Sequence, residues 1–192
     1  MSLAFDFAAP TRIVFGVGRL AECAAIVQGF GRRALVMQGG SGRAAGLVQQ
    51  LREHGVDVAA HALSGEPTVA AVERIAGDAR RAGVDVVVGY GGGSVMDAAK
   101  AVAALATNAA PARDYLEVIG AGRPLEHDPL PVIAIPTTAG TGAEVTRNAV
   151  LLAEEERVKV SLRSPRMLPA VAILDPALTV DLPPAATAST GL

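Results

Sequence analysis

The sequence predicts an α/β fold in which a parallel sheet is covered by helices on both faces, with a short β-hairpin added. Three observations carry this expectation. Apolar runs of strand character at residues 33–37, 84–89 and 131–136 alternate with segments of helical periodicity. Several runs are apolar throughout rather than at every second residue, which is the pattern of strands buried on both faces. Two of them end in glycine-rich turns that open a helical segment, Gln38-Gly39-Gly40-Ser41-Gly42-Arg43 and Tyr90-Gly91-Gly92-Gly93-Ser94.

Taken in order, residues 12–15 form a short β-prone run closed by Gly16 and Gly18, and residues 20–27 read as a helix. The strand at 33–37 leads through the first glycine turn into a helix containing Leu47, Val48 and Leu51. Residues 56–62 supply the next strand. Glu66-Pro67-Thr68 makes a turn and N-cap, and residues 69–81 a helix with Val72, Ile75 and Ala79 on one face. The strand at 84–89 then runs into the second glycine turn and an alanine-rich helix. After Asn108, Pro111, Gly120, Gly122, Pro124 and Pro129 punctuate a long connection with a short helix at 114–118. A buried strand at 131–136 is followed by a loop of hydroxyls and glycines, Thr137-Thr138-Ala139-Gly140-Thr141-Gly142. Residues 148–152 and 158–162 read as a hairpin around a charged tip, and 170–174 as a last strand before Asp175-Pro176 and the junction Leu182-Pro183-Pro184.

Composition narrows the function classes. The 192 residues are 51% hydrophobic, enough for one substantial core. Trp is absent, so the core is expected to be built from Val, Leu, Ile and Ala, whose small side chains let helices lie close to a sheet. The net charge of −2, from 17 basic and 19 acidic residues, provides no basic field for nucleic-acid phosphates. The single cysteine, Cys23, cannot form an intramolecular disulfide and fits a buried helix position. The N-terminus lacks a basic segment followed by an apolar one, and no stretch stays apolar for the length of a membrane span. The expectation is a soluble cytoplasmic protein with neither nucleic-acid nor membrane partners.

The chemistry concentrates at residues 90–100. Three consecutive glycines keep no Cβ between a ligand and the backbone and permit a tight turn. The helix that follows offers unsatisfied N–H groups and the positive end of its dipole, which suits a phosphate or pyrophosphate. The alternative is a structural turn in which Ser94 and Asp97 form a capping box. The threonine loop, at the end of a parallel strand, stands where doubly wound sheets bind cofactors.

Four segments occur in a recognisable order: GGGSVMDAAK at 91–100, IPTTAGTGAEVT at 135–146, DPALT at 175–179 and LPPAATASTG at 182–191. Together they resemble the N-terminal half of the iron-containing (group III) alcohol dehydrogenases, a half with the dehydroquinate synthase-like, Rossmann-like fold. The resemblance implies an oxidoreductase that interconverts alcohols and aldehydes or ketones by metal-assisted hydride transfer with NAD or NADP. It implies cofactor contacts at Gly92, Gly93, Ser94 and Asp97 for the pyrophosphate and at Thr137, Thr138 and Thr141 beside it. Lys159 resembles the family's ribose-contacting lysine and Leu178 its apolar contact to the adenosine half; the alternatives are a solvated hairpin lysine and a core leucine. NAD-preferring members carry an Asp where this chain has Gly39. The loop Gly39, Gly40, Ser41, with Arg43 close by, is similar to that of NADP-using members and implies a preference for NADPH or at least use of both cofactors; the alternative for Arg43 is an ordinary solvated helix residue.

The family's metal is held by one Asp and three His that follow a T-G-x segment, here Thr190-Gly191-Leu192. His54, His61 and His127 lack metal-ligand spacing, and no residue of this chain is assigned to metal binding or catalysis. The expected division is an NAD(P)-binding domain at 1–182 and, at 183–192, the start of a link into a helical domain that would hold Fe²⁺ or another divalent metal. The resemblance also implies a small alcohol or aldehyde substrate and a homodimer or larger homo-oligomer. The alternatives are a stand-alone nucleotide-binding module without chemistry and, among enzymes, a maleylacetate reductase-like activity.

Overall fold

The computed structural model describes residues 8–191; the first seven residues of the expected domain and the final residue of Thr190-Gly191-Leu192 lie outside the described residues. The strands are β1 (Arg12–Phe15), β2 (Arg33–Gly39), β3 (Asp57–Leu63), β4 (Val86–Gly91), β5 (Val132–Pro136), β6 (Asn148–Ala153), β7 (Val158–Arg163) and β8 (Val171–Leu174). The α-helices are α1 (Cys23–Gln28), α2 (Ala45–Glu53), α3 (Val69–Ala82), α4 (Gly93–Thr107), α5 (Ala112–Tyr115) and α6 (Pro184–Gly191). Six strands make one sheet in the order β1-β8-β5-β4-β2-β3, every pair parallel. The antiparallel hairpin β6–β7 stands apart from it.

Alternation along the central strands divides the core between two faces. Val86, Val88 and Tyr90 of β4 and Ile133 and Ile135 of β5 join Val27 of α1 and Leu47 and Leu51 of α2. Val87, Val132 and Ala134 point the other way, into a cluster with Ile75 of α3, the alanines of α4 and Leu151 and Leu162 of the hairpin. Both faces of β4 and β5 are covered, which is why their sequences are continuously apolar. Cys23 is fully buried on α1, and burial pushes its thiol up to about 12, so it stays protonated and packs as a small apolar group.

The chain runs from β2 outward to β3 at the sheet edge and then returns to lay β4 on the other side of β2. The C-terminal ends of β2 and β4 therefore flank the point where the winding direction reverses, and the helices leaving them open a crevice. Both glycine turns lie at these two ends.

Boundaries differ from the sequence reading where side chains intervene. β4 starts two residues later than the apolar run, because Val84 still donates to Ala79 O and closes α3. Asp85 spends its carboxylate on the amides of Arg32 and Arg33, both at 2.9 Å. The start of the 20–27 segment is a 3-10 turn, Arg19–Glu22, before α1. The short helix expected at 114–118 lies earlier, at α5: Pro111 sets its start, and Val118, at φ 68, is incompatible with helix. A Cβ at Gly120 would lie 1.8 Å from Arg113 O, so the chain folds back directly over the end of α5. The long connection is then secured by buried Asn108, whose side chain donates to Ala104 O and His127 O and accepts from the amides of Glu126 and His127.

The two amides on Asp85 hold its carboxyl below the ordinary carboxylate value. Its contribution is therefore complete above the unfolded Asp pKa of about 3.9 and is lost as pH falls through the lower folded value. Asp85→Asn keeps an acceptor but removes the titration. Urea unfolding is expected to show less stability lost by the variant than by the parent between about pH 6 and about pH 2.

Candidate functional site

The site is built on the first turn of α4. Its N-cap is Gly92, in extended conformation, and no side chain caps it. Gly92 O accepts from the amides of Val95 and Met96, so the amides of Gly93 and Ser94 have no intrahelical acceptor. The capping box between Ser94 and Asp97 does not form, because the helix begins one residue before Ser94. None of Gly91, Gly92 and Gly93 has positive φ, so the turn does not need glycine for backbone freedom. Their role is close approach. A Cβ on Gly91 would lie 2.7 Å from Val95 Cγ2, one on Gly92 3.2 Å from Thr138 Oγ1, and one on Gly93 3.6 Å from the Thr141 Cβ.

The same contacts bring the threonine loop to the glycine turn. Thr137 continues β5, is buried and donates its amide to Gly91 O at 2.9 Å. Thr138 and Thr141 then pass beside Gly92 and Gly93. The loop also borders a cleft of about 220 Å³ lined by Phe15, Pro136, Thr138, Glu144, Asp175 and Thr179.

Two further groups of predicted residues flank this centre. Gly39 ends β2, and a Cβ there would meet no atom within 4 Å. Gly40 and Ser41 follow, and Arg43 donates to Leu178 O at 3.0 Å and stands 3.7 Å from the Asp181 carboxylate. Arg43 is thus neither free nor simply solvated. Its Asp181 partner is 81% exposed, whereas Leu178 packs against the α1–α2 side of the core. Leu178 ends the 3-10 turn Pro176–Leu178, which buried Asp175 fixes by accepting from the amides of Ala177 and Leu20, both at 3.1 Å. Burial raises the Asp175 carboxyl, but the amides of Leu20, Gly18 and Ala177 outweigh it and leave the group below its ordinary value. On the other flank, Lys159 of β7 meets Glu66 at 2.5 Å, and these two line a small cleft of about 110 Å³ with Ser94 and Asp97. Lys159 is 60% exposed and does not reach the glycine turn through any hydrogen bond.

Asp97 borders that small cleft and already has a partner. Its carboxylate pairs at 3.2 Å with Lys100, one turn along α4, and Lys100 is 1% exposed. The ammonium also donates to Ala143 O at 2.8 Å, Thr146 Oγ1 at 3.0 Å and Asn148 O at 2.5 Å. Burial raises the Asp97 carboxyl and lowers the Lys100 ammonium, while the two charges oppose both shifts. Lys100 escaped the sequence reading, although its signal was present: a lone lysine three residues from an Asp within an otherwise apolar helix must be paired or exposed. Glu144 was missed as well, and one of its carboxylate oxygens is buried without a hydrogen-bond partner. Among the described residues, no three or more His, Cys, Asp or Glu are grouped to hold a metal ion, and no helix is long and apolar enough to cross a membrane.

Comparison with known proteins agrees with the geometry. The family described as iron-containing alcohol dehydrogenase matches residues 10–176. The chain is 38% identical to the probable alcohol dehydrogenase EutG of Salmonella typhimurium, covering 97% of this chain and 48% of that protein. Among solved structures, an alcohol dehydrogenase from an archaeal halo-thermophile of a Red Sea brine pool superposes with a TM-score of 0.90 at 32% identity. That match covers 100% of this chain and 51% of the other. The sulfoacetaldehyde reductase of Bifidobacterium kashiwanohense, solved in complex with NAD⁺, matches with a TM-score of 0.86 at 36% identity, over 99% of this chain and 51% of that one. The chain spans between a third and about half of the length of the curated relatives it matches.

The two glycine turns differ in their tolerance of a side chain. Gly91→Ala places its methyl against the branched Val95 and is expected to destabilise by about 1–3 kcal/mol. Gly39→Ala enters open space without positive φ and should stay within about 0.5 kcal/mol of the parent in the same denaturant titration.

Proposed function

The chain belongs to the iron-containing alcohol dehydrogenase family, and from that premise we propose that it is the NAD(P)-holding half of an oxidoreductase interconverting alcohols with aldehydes or ketones. The observation that carries the reading is the first turn of α4. Two helix-terminal amides without internal acceptors lie beside Thr138 and Thr141 at the crevice between β2 and β4. At Gly92 a Cβ would lie 3.2 Å from Thr138 Oγ1, so the bare backbone stands directly beside the threonine loop, an arrangement suited to backbone recognition of a diphosphate. The NAD⁺ complex of the Bifidobacterium relative supports the same assignment.

In this reading Gly92, Gly93 and Ser94 hold the diphosphate through amides and the helix dipole, and the hydroxyls of Thr138 and Thr141 add donors beside them. Lys159 reaches a ribose by exchanging its Glu66 partner, and Leu178 supplies apolar contact to the adenosine half. At the end of β2, the absence of a carboxylate at Gly39 admits a 2′-phosphate, which Arg43 meets by releasing exposed Asp181. The cofactor, when bound, supplies or accepts the hydride. Among the described residues no three or more His, Cys, Asp or Glu are grouped to hold the family's metal, and in this reading its ligands come from the helical domain. The domain reading follows: residues 1–182 bind the cofactor, and 183–192 begin the link to a helical metal-binding domain. Cytoplasmic location, a small alcohol or aldehyde as substrate and assembly as a homo-oligomer complete the proposal.

Fluorescence titration with NADPH and NADH tests it. Saturable binding of NADPH, tighter than that of NADH, is expected. Gly39→Asp should weaken NADPH about tenfold, a change of about 1.4 kcal/mol, while NADH is retained or gains. NADH binding as tightly as NADPH would overturn the preference, and binding of neither would overturn the cofactor site.

A further inference from the structure

Lys100 is a buried charge for which the proposed cofactor contacts have no use. It lies seven residues beyond Gly93, roughly 10 Å down α4 from the first turn. Ala98, Ala99, Ala101 and Val102 around it are buried, and each would suit an apolar neighbour better than an ammonium. A cation kept in such a place is paired and fully hydrogen-bonded, and this one is. Its three N–H groups face four acceptors from three pieces of chain: Asp97 on its own helix, Ala143 O and Thr146 Oγ1 at the far end of the threonine loop, and Asn148 O at the first residue of β6. Thr146 Oγ1 also donates to Ala143 O at 3.2 Å, so the acceptors are tied to one another.

Besides this tether, the far end of the threonine loop is held by burial of Ala143 in the core and by Val145 donating to Gly142 O. Its near end is pinned by Thr137 donating to Gly91 O. Between that point and Ala143 lie Gly140 and Gly142, at φ 92 and φ 64, in the region where glycine is the permissive residue. Thr138 and Thr141 lie in the stretch between these two anchors, beside Gly92 and Gly93. We infer that Lys100 is a positioning residue for cofactor binding: its ammonium, paired with Asp97, holds the far end of the threonine loop against α4 and so sets Thr138 and Thr141 against the phosphate-binding turn. The inference rests on the proposed cofactor site and adds to it a residue that touches no ligand.

The charged groups facing the ammonium are the carboxylates of Asp97 and Glu144, and both favour its protonated form, while burial works against it. The tether is complete while Lys100 is protonated. It weakens as pH rises toward the ordinary lysine range, and before that range is reached.

The test compares the parent chain with Asp97→Asn/Lys100→Met, which removes the ammonium together with the carboxylate paired to it. Amide hydrogen exchange without cofactor and NADPH affinity are read on both. Faster exchange across residues 138–148 is expected, with protection in β2 and β3 unchanged and NADPH affinity at least about tenfold weaker. A folded double variant that binds NADPH like the parent overturns the inference while leaving the cofactor site standing; a parent that binds no NADPH or NADH overturns both. Where the double variant does not fold, the pH profile of NADPH affinity decides. The chain has only two lysines, so a decline below the ordinary lysine range that persists in Lys159→Gln and disappears in Lys100→Arg, which keeps the charge without titrating there, belongs to Lys100. A flat profile overturns the inference.

Discussion

The close approach of α4 to β4 is the constraint on which the rest of the molecule depends. A Cβ at Gly89 would lie 3.0 Å from the Ala99 methyl and 3.1 Å from Met96 Cε, and one at Gly91 would collide with Val95, so the strand must present glycine where the helix crosses it. Bulkier residues at that seam would lift α4 off the sheet. The helix would then no longer start at the end of β4, beside the point where the strand order reverses. Packing of small residues and placement of the glycine turn are one requirement expressed at two positions, which is why a chain without Trp and rich in Ala suits this architecture.

The seam also explains how a lysine comes to sit in the core. α4 is buried nearly all round, between the sheet, α3 and the hairpin, so a side chain on it must carry its partners inward. Lys100 does so by gathering carbonyls that no secondary structure satisfies, at the exit of the threonine loop and the entry to β6. Asp97 neutralises it locally, and the charge becomes a fastener between the Rossmann-like sheet and the hairpin that covers it.

Much of this was legible in the order of residues. The continuous apolar runs identified β4 and β5 as strands covered on both faces, and the helical spacing of Val72, Ile75 and Ala79 identified the buried face of α3, whose Thr68 cap accepts from the Ala71 amide. Both glycine turns were found because consecutive glycines between a strand and a helix have few other uses. Less legible were the ends of elements, since Val84, Asp85 and Val118 are set by contacts with distant segments or by a single backbone angle. The role of the central glycines was legible only in part: they provide close approach without positive φ, and that approach involves Thr138 and Val95, contacts that only the fold sets in place.

What the sequence by itself determined is whatever a local rule controls: the alternation of strands and helices, the buried character of each run, the helix N-terminus offered to an anion, and the motif order that marks the family. What only the tertiary structure decided is which side chains are already engaged. Arg43 is shared between Leu178 O and Asp181, Lys159 is held by Glu66, and Asp97 is committed to Lys100. Those partners come from residues 3 to 138 positions away along the chain. An ion pair or hydrogen bond forms by proximity in space, and only the packed sheet, with its helices and hairpin in place, brings such groups within reach.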